Sequence, residues 1–296
     1  MKDEKINLSI VVASWNGTAS LLRCLESLES QTNRATEEII VVSNFAPDLP
    51  KNGWSAAFHV RPDSFTVPDL RRDGIAAARG DIVAMIEDHC TVDVNWIREI
   101  REAHASDATV IGGAVENTSG GNSLDWAVYF YDYGKFMPPN SAGMTEALSG
   151  LNTSYKRAVL DEIHDTYQNG FFETFANEAL KSRGHQLSMI PSAIVYHNKR
   201  YELRPALSHC YHLARSYAAR RVANEPFGKR SILIFGSLFL PILLPARVVL
   251  SVIRKGRNLG HLLRAIPFLI VLMSAWSYGE FRGYSAGEGD SRAKWR

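Results

Sequence analysis

The apolar run IVAMI at 82–86 ends in three side chains able to bind protons or metals: Glu87, Asp88 and His89. Three polar groups at the tip of a buried run are costly without a partner. A divalent cation is one partner, because magnesium and manganese take carboxylate oxygens, manganese also accepts imidazole, and both keep positions for phosphate oxygens. The alternative is an exposed acidic strand end that leads into the next helix. Arg71, Arg72 and Arg79 lie just upstream and carry guanidinium donors suited to phosphate. A further acid, Glu173, opens a helical stretch, where the helix dipole favours it.

These groups need elements to position them. NLSIVVA (7–13), EEIIVVS (37–43), IVAMIED (82–88) and TVIGGAVEN (109–117) are buried-strand runs, and FHVRP (58–62) is a weaker one. Helical patterns fall between them: a leucine stripe after Asn16-Gly17-Thr18, with Thr18 as its cap, then 70–79 and 96–104. Alternating strands and helices imply a mostly parallel α/β sheet with helices on both faces. Ligands bind such sheets beyond the carboxyl ends of the strands. The groups that fall there are Ser14 to Asn16, Ser43 with Asn44, and Glu87 to His89. The segment 118–150, rich in Gly, Asn, Pro and aromatics, shows no period and reads as a mobile segment near the acceptor. LSMIPSAIVYH (187–197) reads as strand, turn and strand, and 203–224 as a long amphipathic helix.

Taken in order, these segments resemble family 2 glycosyltransferases of the GT-A fold, bacterial type, over roughly residues 7–200. VVASWNG (11–17) resembles the opening strand and turn, EEIIVVSN (37–44) the second strand, and RRDGIAAARGDIVAMIEDHC (71–90) the approach to the DxD-type motif. SGLNTSYKRAVL (149–160) resembles the acceptor-side segment, and GFFETFANEALKSRGHQL (170–187) the region of the catalytic base. The resemblance implies a nucleotide-diphosphate sugar donor, a divalent metal (Mn2+ or Mg2+) and inversion at the anomeric carbon. It implies donor contacts at Ala13, Ser14, Trp15, Asn16, Ser43, Asn44, Arg72, Arg79, Glu87, Asp88, His197 and Arg200. Metal ligands would come from Glu87, Asp88 and His89, acceptor contacts from Gly150 and Asn152, and the base would be Glu173, with Glu178, off its helical face, as the lesser alternative. Two positions depart from the family. Ser43 and Asn44 stand where it has an acid near the base, and Glu87 and His89 stand on its two acid positions.

The bulk composition narrows the remaining classes. With 46% apolar and 22% charged residues, the 296-residue chain has enough apolar content for a packed core. A net charge of +2 says little about partners, but the chain has no polybasic run on the scale of a nucleic-acid arm, so nucleic acid is not an expected partner. Three scattered cysteines form no metal or disulfide pattern, and the N-terminus enters a strand without a secretory leader pattern. The loop after the first strand lacks Lys or Arg, which disfavours a nucleotidyltransferase. The missing QxxRW signature disfavours a processive synthase. A silent GT-A scaffold that binds a glycan or protein is the alternative to an enzyme.

After residue 226 the composition turns apolar, with a run at 231–253 interrupted by Pro241, Pro245 and Arg247, a second at 265–276, and Lys229, Arg230, Arg254, Lys255, Arg257 and Arg264 beside them. Basic flanks suit an anionic cytoplasmic leaflet. The expected organisation is therefore a catalytic domain (1–202), a linker helix (203–226) and a membrane-associating tail (227–296) at the cytoplasmic face. Such a tail suits a lipid-linked or polysaccharide acceptor. A buried hairpin or a homodimer interface is its alternative role.

Overall fold

The computed structural model describes residues 5–49, 54–63 and 66–294. In chain order the elements are β1 (Leu8–Ser14), α1 (Thr18–Glu29), β2 (Glu37–Ser43), β3 (Ala57–Val60), α2 (Val67–Ala77), β4 (Ile82–Glu87) and β5 (Cys90–Val92). There follow α3 (Trp96–His104), β6 (Val110–Asn117), α4 (Ser123–Asp132), β7 (Gly143–Thr145), β8 (Thr153–Lys156), α5 (Arg157–Glu162), α6 (His164–Tyr167), α7 (Glu173–Ser182) and β9 (Leu187–His197). The chain continues through α8 (Leu203–Arg221), α9 (Phe227–Ser237), α10 (Leu240–Lys255) and α11 (Leu259–Ala286).

The strands form one sheet in the order β3-β2-β1-β4-β8-β6-β9-β5, with β7 also on β9. β1 runs parallel to β2 and β4, so Ala13 stands beside Glu87 and Ser14 beside Ser43. These strands are buried almost throughout, as a sheet covered on both faces requires. β8 is antiparallel to both β4 and β6, which makes the sheet mixed. Residues 187–197 are one strand, not the expected pair. Its register against β6 shifts between Gly113 and Ala114, which sets Gly113 beside Ile190 and Ala114 beside Ile194. Pro191, which lacks an N–H, sits in that bulge.

The chain divides into two compact units, 1–118 with 136–198, and 119–135 with 199–296. These limits differ from the three expected segments. α4 belongs to the second unit, although 118–150 has no readable period. Leu124 to Phe130 are buried on every side of this helix, so no polar stripe marks it. Asn122 caps it by accepting from Asp125 N. Thr18 is likewise not the cap of α1. Gly17 holds that position, and the Thr18 hydroxyl accepts from Asp48 N at 3.3 Å.

In the second unit α8 packs along α11. Gly279 and Gly283 make this possible, because a Cβ at either would lie within 2.4 Å of a carbonyl oxygen of α8, at Tyr211 or Arg215. Glu280, buried in α11, accepts from Trp276 Nε1 at 2.7 Å and from the Tyr284 hydroxyl at 2.8 Å, and Arg221 donates to that hydroxyl at 3.1 Å. α11 has 28 residues and is, among the described residues, the one unbroken helix long and apolar enough to cross a bilayer. The earlier apolar run is broken: α9 and α10 meet at a bend of 70°.

Candidate active site

β4 ends at Glu87, and residues 88–89 turn before β5 begins. Asp88 points back to the turn after β1. Its Oδ2 accepts from Ser14 Oγ (2.9 Å), Trp15 N (2.8 Å) and Asn16 N (2.7 Å), and its Oδ1 accepts from Asn16 Nδ2 (2.7 Å). Asp88 is fully buried. Burial raises its pKa above the ordinary 3.8, against the opposing pull of the hydrogen bonds from Asn16, Ser14 and Trp15. Asp88 therefore shapes the 14–16 turn at the carboxyl edge of the sheet. His89 lies between the two acids, with its Nδ1 3.5 Å from Glu87 Oε2, 3.9 Å from Asp88 Oδ1 and 3.3 Å from Asn16 Nδ2. His197, at the end of β9, arrives beside them, its ring edge-on to His89 at 4.9 Å between centroids.

Across from this tip, Arg71 reaches out of α2. Its guanidinium donates to Glu87 Oε1 at 2.6 Å and to Glu173 Oε2 at 3.0 Å. Arg71 is buried, Glu87 nearly so, and Glu173 is about one-third exposed. Thr66 caps α2 and Pro68 stands in its first turn, and Arg71 lies on the buried face with Leu70, Gly74 and Ile75. Gly150 leaves the room for this clamp. A Cβ there would stand 2.7 Å and 2.8 Å from the Arg71 nitrogens and 2.8 Å from Glu173 Cδ. One turn into α7, Asn177 accepts from the buried Tyr155 hydroxyl at 2.9 Å. Burial, with the Glu173 charge, pushes that phenol far above its ordinary range.

The family described as Glycosyl transferase family 2 matches residues 9–166, more than half of the chain. The chain belongs to this family. It is a glycosyltransferase, and as such moves a sugar from a nucleotide-diphosphate donor to an acceptor. No curated protein matches its sequence. Among solved structures it is similar to TarS residues 1–349 from S. aureus in complex with UDP-GlcNAc, at 14% identity and a TM-score of 0.55, over 93% of this chain and 90% of that one. It is also similar to the mannosyltransferase PcManGT from Pyrobaculum calidifontis in complex with GDP-Man and Mn2+, at 13% identity and a TM-score of 0.57, over 94% and 86%. At these identities the likeness establishes the GT-A fold.

Within this glycosyltransferase the expected site residues do not all converge. Ala13, Ser14, Trp15 and Asn16 line the turn on Asp88, and Ser43 and half-buried Asn44 end the neighbouring strand. The Ser43 hydroxyl donates to Phe45 O at 2.6 Å. Arg72 and Arg79 lie elsewhere. Arg72 points about a quarter-turn from Arg71 and donates to Asp73 Oδ1 at 2.7 and 2.8 Å. Arg79 precedes β4 and is therefore at the amino edge, where Glu38 holds it at 2.7 Å. Arg200 falls in the second unit, with its guanidinium 3.5 Å from Asp125. Asn152 is a staple at the β9 bulge. Its Nδ2 donates to Ala114 O and Ala193 O, both at 2.8 Å, and its Oδ1 accepts from Trp96 Nε1 at 2.9 Å. Arg71, read with Arg72 and Arg79 as a phosphate donor, meets the two carboxylates of Glu87 and Glu173. Its helical spacing to Gly74 and Ile75 was the available signal of its inward place.

Among the described residues, no three His, Cys, Asp or Glu side chains form a metal cage. The pair Glu87 Oε2 and His89 still suits an ion that arrives on a diphosphate. Such ions take one or two protein ligands and fill the rest with phosphate oxygens and water. With four donors on its two oxygens, Asp88 does not fit that role.

Proposed function

We propose that this enzyme inverts the anomeric carbon of a nucleotide-diphosphate hexose bound at the carboxyl edge of β1, β2 and β4, with Glu173 as the base. One observation carries the reading. A single buried guanidinium, Arg71, ties Glu87 at the strand edge to Glu173 at the head of α7, 86 residues later in sequence. Donor-side and acceptor-side acids are thus one guanidinium apart. In the reaction, the acceptor hydroxyl oxygen attacks C1 from the face opposite the leaving group. Its proton passes to the Glu173 carboxylate, the C1–O bond to phosphate breaks, and the electron pair leaves with the nucleoside diphosphate. Arg71 holds the Glu173 carboxylate in place, and Gly150 leaves that carboxylate open to the acceptor.

The 14–16 turn, Ser43 and Asn44 surround the nucleoside and bond it without charge. His197 stands at the donor side of the same edge. Manganese or magnesium would be held by Glu87 and His89 and would supply positive charge to the leaving diphosphate. The UDP-GlcNAc of the TarS structure and the GDP-Man of the Pyrobaculum structure support a nucleotide-hexose donor here. The apolar C-terminal helix and its basic flanks support a lipid-linked or glycan acceptor at the cytoplasmic face of a membrane.

The test is a screen of nucleotide-diphosphate sugars for release of nucleoside diphosphate, with and without Mn2+ or Mg2+, beside a Glu87→Ala, His89→Ala double variant. Release from one donor, lost in the variant, is the expected result. Nucleotide binding at full strength in the double variant would place the donor elsewhere.

A further inference from the structure

The join between α9 and α10 is built to bend and is coated with apolar side chains. Pro241 has no N–H to offer the Ser237 carbonyl four residues back, so the ladder of α9 cannot run on into α10. Ser277 of α11 donates its hydroxyl to that carbonyl at 2.6 Å instead. The resulting 70° bend is therefore fixed by a proline on one side and a buried serine on the other. Around it Ile232, Phe235, Leu238, Phe239, Ile242 and Leu243 each leave more than half of their surface exposed. So large an apolar patch calls for an apolar partner.

The charges flanking the patch identify that partner. Arg230 lies eight residues before Leu238, and Arg247 eight residues after Phe239. Each leg is therefore apolar for about 12 Å from the bend and then meets an arginine. With a 70° bend shared equally, each leg leans about 55° from the normal, and the bend sits about 7 Å below the arginines, within the roughly 5–10 Å depth of interfacial helices. Arg230 is steadied there by donating to the Tyr284 and Ser285 carbonyls at the end of α11. Beyond Arg247 the chain adds Arg254, Lys255 and Arg257, a basic cluster suited to anionic headgroups. A crossing pair would instead carry exposed Arg247, half-way along α10, into the hydrocarbon, where arginine is unfavourable.

We propose that α9 and α10 form a wedge that enters one leaflet of an anionic bilayer and does not cross it. Residues 238–239 are its deepest point, and Arg230 and Arg247 lie at headgroup level. This rests on the membrane association proposed above and gives it a geometry.

The full chain carrying Gly228→Cys and Gly260→Cys tests it, since a Cβ at either position meets nothing within 4 Å. The three native cysteines are buried and serve as the unlabelled background. The protein is reconstituted into sealed phosphatidylcholine vesicles with and without phosphatidylglycerol, floated, and treated with an impermeant maleimide. A wedge leaves both sites on one side, so intact mass shows zero or two labels per chain, and flotation is stronger with phosphatidylglycerol. A crossing pair gives one label per chain, which overturns the wedge and leaves membrane association standing. Failure to float overturns both. A chain that does not float and sediments as a dimer assigns the patch to a second copy. As a check on depth, a fluorophore at Phe239→Cys is expected to be quenched more by spin labels near the acyl carbonyls than by those near the chain ends. The reverse order contradicts the shallow wedge.

Discussion

The parallel strands β1, β2 and β4 carry a polar cluster at each end, and the two clusters are built differently. At the amino edge Ser9 donates to Glu38 at 2.6 Å, and the Arg79 amide and guanidinium meet the same carboxylate at 2.7 to 2.9 Å. The Gly80 amide closes the set on Ser9 at 2.8 Å. Each of these groups serves another in the cluster, and the arrangement ties strand ends together. At the carboxyl edge Asp88 plays that part for the 14–16 turn, while Glu87, His89 and Glu173 are held at the edge by Arg71 and by each other. Acids and arginines alone do not mark a site. What separates the edges is whether the acids are consumed by the fold or held at its rim.

The largest expected effect lies at the carboxyl edge. Glu173→Gln should slow transfer by about 10³-fold while nucleotide affinity stays unchanged and stability falls by no more than about 1 kcal/mol as the partly exposed pair with Arg71 weakens, measured by initial rates beside calorimetry. Asp88→Ala should lose about 3 kcal/mol of stability in urea unfolding, because the buried donors of the 14–16 turn are left without an acceptor. A loss below about 1 kcal/mol would mean that the turn holds without Asp88. Gly150→Ala should cut transfer by about tenfold to a hundredfold by pushing Arg71 and Glu173 apart, with donor affinity less affected. At the amino edge Glu38→Gln should lower stability by only about 1–2 kcal/mol and leave the transfer rate untouched.

The two edges also titrate with opposite sign. Burial works to raise the pKa of Glu38, but Ser9 and Arg79 outweigh it and hold the carboxyl below its ordinary 4.5. The stability it contributes is present above that value and is lost as pH falls through the lower folded value. Asp88 is the reverse. Burial sets its folded pKa above 3.8, so its contribution is full below 3.8 and declines as pH rises through the folded value. Urea unfolding between pH 3 and pH 7 should show the wild-type advantage over Glu38→Gln growing with pH, and that over Asp88→Asn shrinking. Parallel curves would remove the distinction between the edges.

Much of this was legible in the sequence. The buried runs at 82–86 and 37–43 and the helix 96–104 follow from periodicity, and the motif order pointed to the GT-A fold. What the sequence did not carry was which side chains the fold consumes. Asn152 looks like an acceptor contact until the β9 bulge supplies carbonyls for it. Arg79 looks like a phosphate ligand until strand direction puts it at the wrong edge. α4 went unread because a helix buried all round has no polar stripe. The bend at Pro241 was visible as a proline, but its serine partner on α11 was not.

Amide hydrogen exchange on the wild-type enzyme, with UDP or GDP added in turn, tells the two edges of the sheet apart. Bound nucleotide should slow exchange at 13–17, 42–45 and 86–90, with 34–38 and 78–81 unchanged. Protection at the amino-edge segments, with none at the carboxyl edge, would contradict a carboxyl-edge donor site.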